Sequence, residues 1–252
     1  MARDAKLPAR TVSLEGTANA ARTALRKFRD PKKAAFFPKF FKAGPGEYAE
    51  GDRFLGISVP QTREVAKRFR DLPLPELKRL LHSPIHEERL LALIVLTDQY
   101  KRAVHDPRER ERIFKFYCAQ RRRVNNWDLV DVSAHLIVGA HLEGQDTALL
   151  DRLAKSRGLW DRRIAMLATF HGIRRGQYDD ALRIAEALVH DEHDLIHKAV
   201  GWMLREIGKR DLLPLEAFLR RHARTMPRTM LRYAIEKFPE DQRQRYLRGE
   251  GF

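Results

Sequence analysis

Residues 194–210 read DLIHKAVGWMLREIGKR (Asp194 to Arg210), and the fold follows from how this stretch winds. At about 100° per residue, Ile196, Val200, Met203, Leu204 and Ile207 fall on one stripe, which faces a core. Trp202 falls nearly opposite. Its companions on that side are Lys198, Arg205 and Lys209, one or two helical turns away. A tryptophan set off the core face among three cations reads as a ligand-facing ring with phosphate-binding neighbours. It reads equally as a ring packed on the next helix pair, with the cations simply solvated.

Outward from this helix the same period recurs, and no run of period-2 alternation interrupts it. Helices are predicted near 16–29, 31–42, 58–70, 73–82, 85–103, 107–121, 126–142, 146–154, 159–173, 177–189, 194–210, 211–223, 226–237 and 239–248. Short joints rich in Pro, Gly, Asp and Ser separate them, such as Asp71-Leu72-Pro73, Asp106-Pro107 and Met226-Pro227. Short joints turn consecutive helices antiparallel. The helix–joint–helix unit returns roughly every 35 to 40 residues, the range of HEAT-type repeats. The expected fold class is all-α, a curved α-solenoid of antiparallel helix pairs. Residues 1–14 are expected to be a flexible basic arm and 15–248 a single domain.

Charge speaks to partners. The 252 residues carry 49 Lys and Arg against 34 Asp and Glu, a formal net charge of +15. An excess of this size points to nucleic acid, because each phosphate neutralised releases counterions. Apolar residues make up 43%, enough for a core. The single cysteine, Cys118, excludes a disulfide framework and a thiolate metal cluster. With Phe114, Phe116 and Tyr117 beside it, Cys118 reads as a core residue. The first residues are basic but lack an apolar stretch behind them, so no signal peptide is expected. No apolar run approaches the roughly 20 residues that span a bilayer. A cytoplasmic location is expected. His190, His193 and His197 lack a recognised metal spacing, and no phosphate-binding glycine loop is found. Neither a metal nor a cofactor is expected.

Two further stretches depart from the core pattern. In Asn125-Asn126-Trp127-Asp128-Leu129-Val130-Asp131, either asparagine suits an N-cap and Asp128 suits the first turn. Asp131 lies one turn after Trp127, on a stripe with Val130, Ala134 and Val138. A carboxylate there is costly unless something repays it. It is either a functional group or the partner of an arginine on an adjacent helix. In Leu159-Trp160-Asp161-Arg162-Arg163, Trp160 lies with the apolar stripe and reads as core. Arg163 sits at the stripe's edge, placed to reach a phosphate or to pair with a carboxylate. Arg121, Arg122 and Arg123 directly precede the Trp127 motif, and Arg220, Arg221, Arg224 and Arg228 cluster later. Several basic runs together favour a duplex contact.

These residues resemble the HEAT-like-repeat DNA glycosylases of the AlkD type, in the bacterial DNA alkylation repair family. The resemblance runs from about residue 16 to 240. Its markers are Phe54-Leu55-Gly56-Ile57 with Val59-Pro60 and Arg63, Trp127-Asp128 to Val130-Asp131, Trp160 with Arg163, and Lys198-Ala199 leading to Gly201-Trp202 and Leu204-Arg205-Glu206. It implies a basic concave face holding duplex DNA, and excision of cationic purines such as 3-methyladenine and 7-methylguanine without base flipping. It also implies Asp131 as catalytic carboxylate, Trp127 and Trp202 flanking the lesion, and Arg163 contacting phosphate. Asn126 departs from relatives that carry an aromatic there.

The residues suit that chemistry. An alkylated purine is already cationic and leaves without a general acid, so positive charge builds on the deoxyribose, where a carboxylate stabilises it. Expected DNA contacts are Arg163, Lys198, Arg205, Lys209 and Arg121, Arg122 and Arg123. Double-stranded DNA is the expected partner and a monomer the expected state. A non-catalytic DNA-binding homologue and a protein-binding helical scaffold remain as alternatives.

Overall fold

A computed structural model describes residues 16–250, so the expected arm at 1–14 lies outside the described residues. The chain divides between Gln99 and Tyr100 into two compact units. Every regular element among the described residues is helical, the class expected from the periodicity.

In the first unit α1 (Ala18–Arg26) buries Ala18, Ala21 and Leu25 and packs on α3 (Val59–Arg68) and α4 (Leu74–Leu81). Small residues on its inner face allow the close approach. α2 (Pro31–Phe40) starts as its sequence dictates: Pro31 takes the first position and Asp30 Oδ1 accepts from Lys32 N at 3.0 Å and Lys33 N at 3.1 Å. At α3 the Gln61 carbonyl closes a capping box on Ser58 N at 2.9 Å.

α5 (His86–Arg102) begins in this unit with the run His86-Glu87-Glu88-Arg89. Such a run looks like a solvated first turn, yet all four side chains are buried. Glu87 is 1% exposed. Its carboxylate accepts from Leu55 N (3.0 Å), Gly56 N (2.8 Å) and Ile57 N (3.2 Å). Glu88 pairs with Arg22 at 2.8 Å, and Arg89 with Asp52 at 2.5 Å. Each buried charge therefore has a partner, without which desolvation would disfavour the fold. Gly56, at φ 80°, is also where α2 is seated: a Cβ there would stand 2.2 Å from the Asp30 carbonyl oxygen and 2.6 Å from Ala34 N. The motif Phe54–Ile57 thus serves as a backbone dock, tied to Glu87 and set against the start of α2.

In the second unit α6 (Pro107–Gln120) is followed by a 3-10 turn, Arg121–Arg123, and α7 (Trp127–Asp131). A π-helical turn (His135–Gly139) then leads into α8 (Ala140–Leu142). α9 (Ala148–Ala154), α10 (Leu159–Ala168), α11 (Phe170–Ile173), α12 (Asp179–Leu188) and α13 (Asp194–Gly208) follow, then α14 (Leu212–His222), α15 (Arg228–Ala234) and α16 (Glu240–Arg248). Near neighbours in the chain pack together: α10 on α7, α9, α12 and α13, and α13 on α12, α14 and α15. That is the pattern of a helical repeat stack. Gly201 permits the tight α13–α15 contact, since a Cβ there would lie 2.5 Å from the Met230 carbonyl oxygen.

Two predicted helices are broken, each beside a hydroxyl bonded to a preceding carbonyl, a bond that Thr97 also makes to Ile94 O within the unbroken α5. The Ser133 hydroxyl donates back to Leu129 O at 2.6 Å where α7 ends, inside the predicted 126–142 helix. Thr169 Oγ1 donates to Met166 O at 2.7 Å and separates α10 from α11 inside the predicted 159–173 helix. Hydroxyls bonded to a preceding carbonyl compete with the helical ladder and bend it.

Candidate functional site

α7, α10 and α13 carry the residues that the sequence analysis singled out. Asn126, fully buried, caps α7 with its Oδ1 2.8 Å from Trp127 N. Asp128, buried in the first turn, holds Leu129 N at 2.8 Å and is structural, as its position suggests. Asp131, one turn after Trp127, ends the helix.

Arg163 on α10 reaches Asp131 with two parallel bonds, Nε to Oδ1 at 2.9 Å and Nη2 to Oδ2 at 2.8 Å. Its remaining nitrogen, Nη1, donates to the Leu195 carbonyl at the start of α13 at 2.6 Å. One guanidinium thus ties the three helices together. Arg163 is 4% exposed, so it is a carboxylate partner here and meets a phosphate only if this pair opens. Of its two sequence readings, phosphate contact or carboxylate pairing, the second is the arrangement seen. Burial pushes the Asp131 carboxyl up from its ordinary range, and the Arg163 charge and hydrogen bonds oppose that rise.

Trp202 on α13 is half-buried, its ring centroid 5.9 Å from that of Phe170 on α11. Phe170 in turn lies 5.4 Å from the ring of His135. His135 lies four residues after Asp131 and bonds its backbone, so an aromatic track His135–Phe170–Trp202 leads from the end of α7 to the indole. Burial, with Arg174 adding to it, pulls His135 down to about 4 and keeps it neutral at physiological pH. Neither His135 nor Phe170 figures in the sequence reading, although the i, i+4 spacing from Asp131 to His135 was available. Trp127 and Trp160 are both half-buried, which gives Trp160 more exposure than its core reading predicted.

The cations expected around Trp202 are each engaged. Lys198 pairs with Asp194 at 2.6 Å, Lys209 with Glu206 at 2.6 Å, and Arg205 with Glu236. Arg121 donates to Asp161 at 3.1 Å, whereas Arg122 is exposed and Arg123 half-buried. Cys118 lines a cavity of about 370 Å³ with Tyr117, Val138 and Ile164, and burial pushes its thiol up to about 11. Cys118 is half-buried, which gives it more exposure than its core reading predicted, and its raised thiol does not suit a nucleophile. Among the described residues no group of His, Cys, Asp or Glu could hold a metal ion, and no helix is long and apolar enough to cross a membrane.

The family model for DNA alkylation repair enzymes matches residues 21–238. The chain belongs to that family. Membership gives it a role in the repair of alkylated DNA, with DNA as its partner. No curated protein matches the sequence. A solved structure described as a predicted DNA alkylation repair enzyme from Enterococcus faecalis is similar, with a TM-score of 0.63 at 17% identity. The likeness covers 84% of this chain and 97% of that one, and it shows a shared fold. The family match spans Trp127, Asp131, Arg163 and Trp202.

Proposed function

We propose that the chain is a monofunctional DNA glycosylase, hydrolysing the N-glycosidic bond of cationic alkylated purines such as 3-methyladenine and 7-methylguanine in duplex DNA. The observation that carries this reading is the Asp131–Arg163 pair, a part-buried carboxylate held by two bonds in a chain of the alkylation repair family.

Departure of a cationic purine transfers positive charge to the deoxyribose, and the base leaves with the bonding electrons as a neutral purine. Asp131 stabilises that charge and orients the attacking water, whose proton passes to solvent. The part-buried setting strengthens its field relative to water. Arg163 opposes the effect of burial on the carboxyl and fixes its plane. Each Asp131 oxygen accepts one bond from Arg163 and keeps a second lone pair for water. Trp127, one turn away, and Trp202, braced on Phe170, offer ring faces to the sugar and the cationic base, worth about 1 kcal/mol each. Recognition then needs no pocket for a flipped base. Neutral His135 adds no charge that would repel the lesion. No described lysine of the second unit is buried, so none has the desolvated setting of a Schiff-base nucleophile, which favours hydrolysis without strand cleavage.

The test is release of 7-methylguanine from methylated duplex DNA by the wild type and by Asp131→Asn. Release by the wild type and its loss in the variant support the reading. No release by the wild type overturns it.

A further inference from the structure

Residues 26–42 carry seven cations, Arg26, Lys27, Arg29, Lys32, Lys33, Lys39 and Lys42, against the single carboxylate of Asp30. Five phenylalanines interleave with them: Phe28, Phe36, Phe37, Phe40 and Phe41. Helical winding sorts these residues onto two faces of α2. Phe41 is buried and stacks on Phe54 at 5.2 Å, and Phe37 meets Phe54 edge-on at 5.9 Å. These two rings, with the Gly56 dock, anchor the helix. Phe36 and Phe40 are 57% and 50% exposed, their centroids 6.1 Å apart, and Phe40 also meets Phe41 edge-on at 4.9 Å. At about 100° per residue, Lys39 and Lys32 run along one side of the Phe36–Phe40 stripe and Lys33 along the other. α2 buries no residue between Pro31 and Phe40 and still keeps a fixed seat.

We infer that this face of α2 is a second DNA contact, carried by the first unit: Phe36 and Phe40 pack on sugars and base edges while Lys32, Lys33 and Lys39 hold flanking phosphates. The inference rests on the DNA reading above. Two adjacent exposed aromatic rings are costly in water and suit the flat, apolar surfaces of nucleotides, as apolar wedges in a minor groove do. Lys33 pairs with Asp30 at 3.4 Å, and the remaining excess of positive charge on this stretch selects a polyanion. It also disfavours a second copy of this chain, which would bring the same +15 against it. An anionic membrane would satisfy the charge, but the large apolar groups exposed on α2 are two aromatic rings, and ring stacking suits bases better than acyl chains.

The experiment measures binding of the full chain to an undamaged duplex oligonucleotide across a salt series. Its variants are Phe36→Ala, Phe36→Ala with Phe40→Ala, and Lys32→Ala with Lys39→Ala. Lys32, Lys39 and Phe36 are exposed, so the lysine variant and Phe36→Ala should keep the wild-type circular dichroism and melting temperature; Phe40 also touches Phe41, so binding by the double variant is measured well below its own melting temperature. The double phenylalanine variant should bind about tenfold more weakly or worse with an unchanged salt slope. Phe36→Ala alone should fall between. The lysine variant should lose about one to two units of slope. Phenylalanine variants that bind duplex with wild-type affinity overturn the inference, whatever excision does. So does a wild type whose binding to phosphatidylserine vesicles is lost in those variants while duplex affinity is kept. A wild type that binds no duplex overturns this inference and the DNA reading together.

Discussion

Arg163 donates to both carboxylate oxygens of Asp131, and with its third nitrogen to the Leu195 carbonyl, so one buried side chain fixes the carboxylate and ties α7, α10 and α13. The pair has both a structural and an electrostatic consequence, and the two separate by experiment.

Replacing Arg163 by Met leaves Asp131 without its counter-charge. Breaking such a pair from one side should cost about 3 kcal/mol, near the low end for buried pairs because Asp131 keeps some solvent access. Burial raises the Asp131 pKa and Arg163 lowers it, so removing Arg163 raises it further. Ionised carboxylate is then lost at a higher pH as the solution is acidified. The acid limb of the excision profile should move toward neutral in the variant, and an unmoved limb would show that Arg163 does not set the ionisation of Asp131.

Trp202→Ala separates bracing from chemistry. The ring is half-buried against Phe170, so truncation should cost about 1–2 kcal/mol, below the range for fully buried aromatics. Loss of a cation–π contact of about 1 kcal/mol should lower excision roughly five- to tenfold. Thermal melting and single-turnover excision check the two halves. A drop of several kcal/mol with normal excision by the folded fraction would make Trp202 a core residue.

His135 is held neutral, its pKa pulled to about 4 by burial. A lowered histidine favours the fold least in acid: the unfolded chain takes up the proton near its ordinary value and the folded chain resists. Stability is therefore lost as pH falls from about 6.5 toward 4. In His135→Gln the loss of melting temperature between pH 7.5 and 5 should be smaller than in the wild type. Equal losses would show that His135 is free to titrate in the fold.

Glu87→Ala strips a fully buried acceptor from the amides of Leu55, Gly56 and Ile57, a cost of about 3 kcal/mol or more. Gly56→Ala should be at least as damaging, since its Cβ would collide with the Asp30 carbonyl at a positive φ. Denaturant unfolding measures both. A Glu87→Ala protein of wild-type stability would mean that the Phe54–Ile57 motif needs no such tie.

Much of this was legible in the sequence, because period, caps and joints are local signals. Every predicted segment contains a helix, and the exceptions at Ser133 and Thr169 arise where a hydroxyl competes for a backbone carbonyl. Burial of His86 to Arg89 was not legible, since partners such as Asp52 and Arg22 are remote in the chain. The stripe argument correctly set Trp202 off the core of α13, yet it could not show Phe170 beneath the ring. It left Asp131 and Arg163 each with two readings; only the packing of α7 on α10 makes them partners. Of the cations near Trp202, Lys198 and Lys209 pair within α13 with Asp194 and Glu206, at i,i+4 and i,i+3 spacings that the sequence already carried, whereas Glu236, which engages Arg205, lies beyond α15.

Excision of 7-methylguanine from methylated duplex DNA, compared between the wild type and Asp131→Asn under equal DNA binding, tests the central claim most directly. The wild type should release the free base and leave the strand intact, while Asp131→Asn should bind duplex normally and excise at least about a hundredfold more slowly. Equal release by the two proteins would contradict the role given to Asp131. A wild type that binds DNA and releases no methylated purine would contradict the glycosylase reading itself.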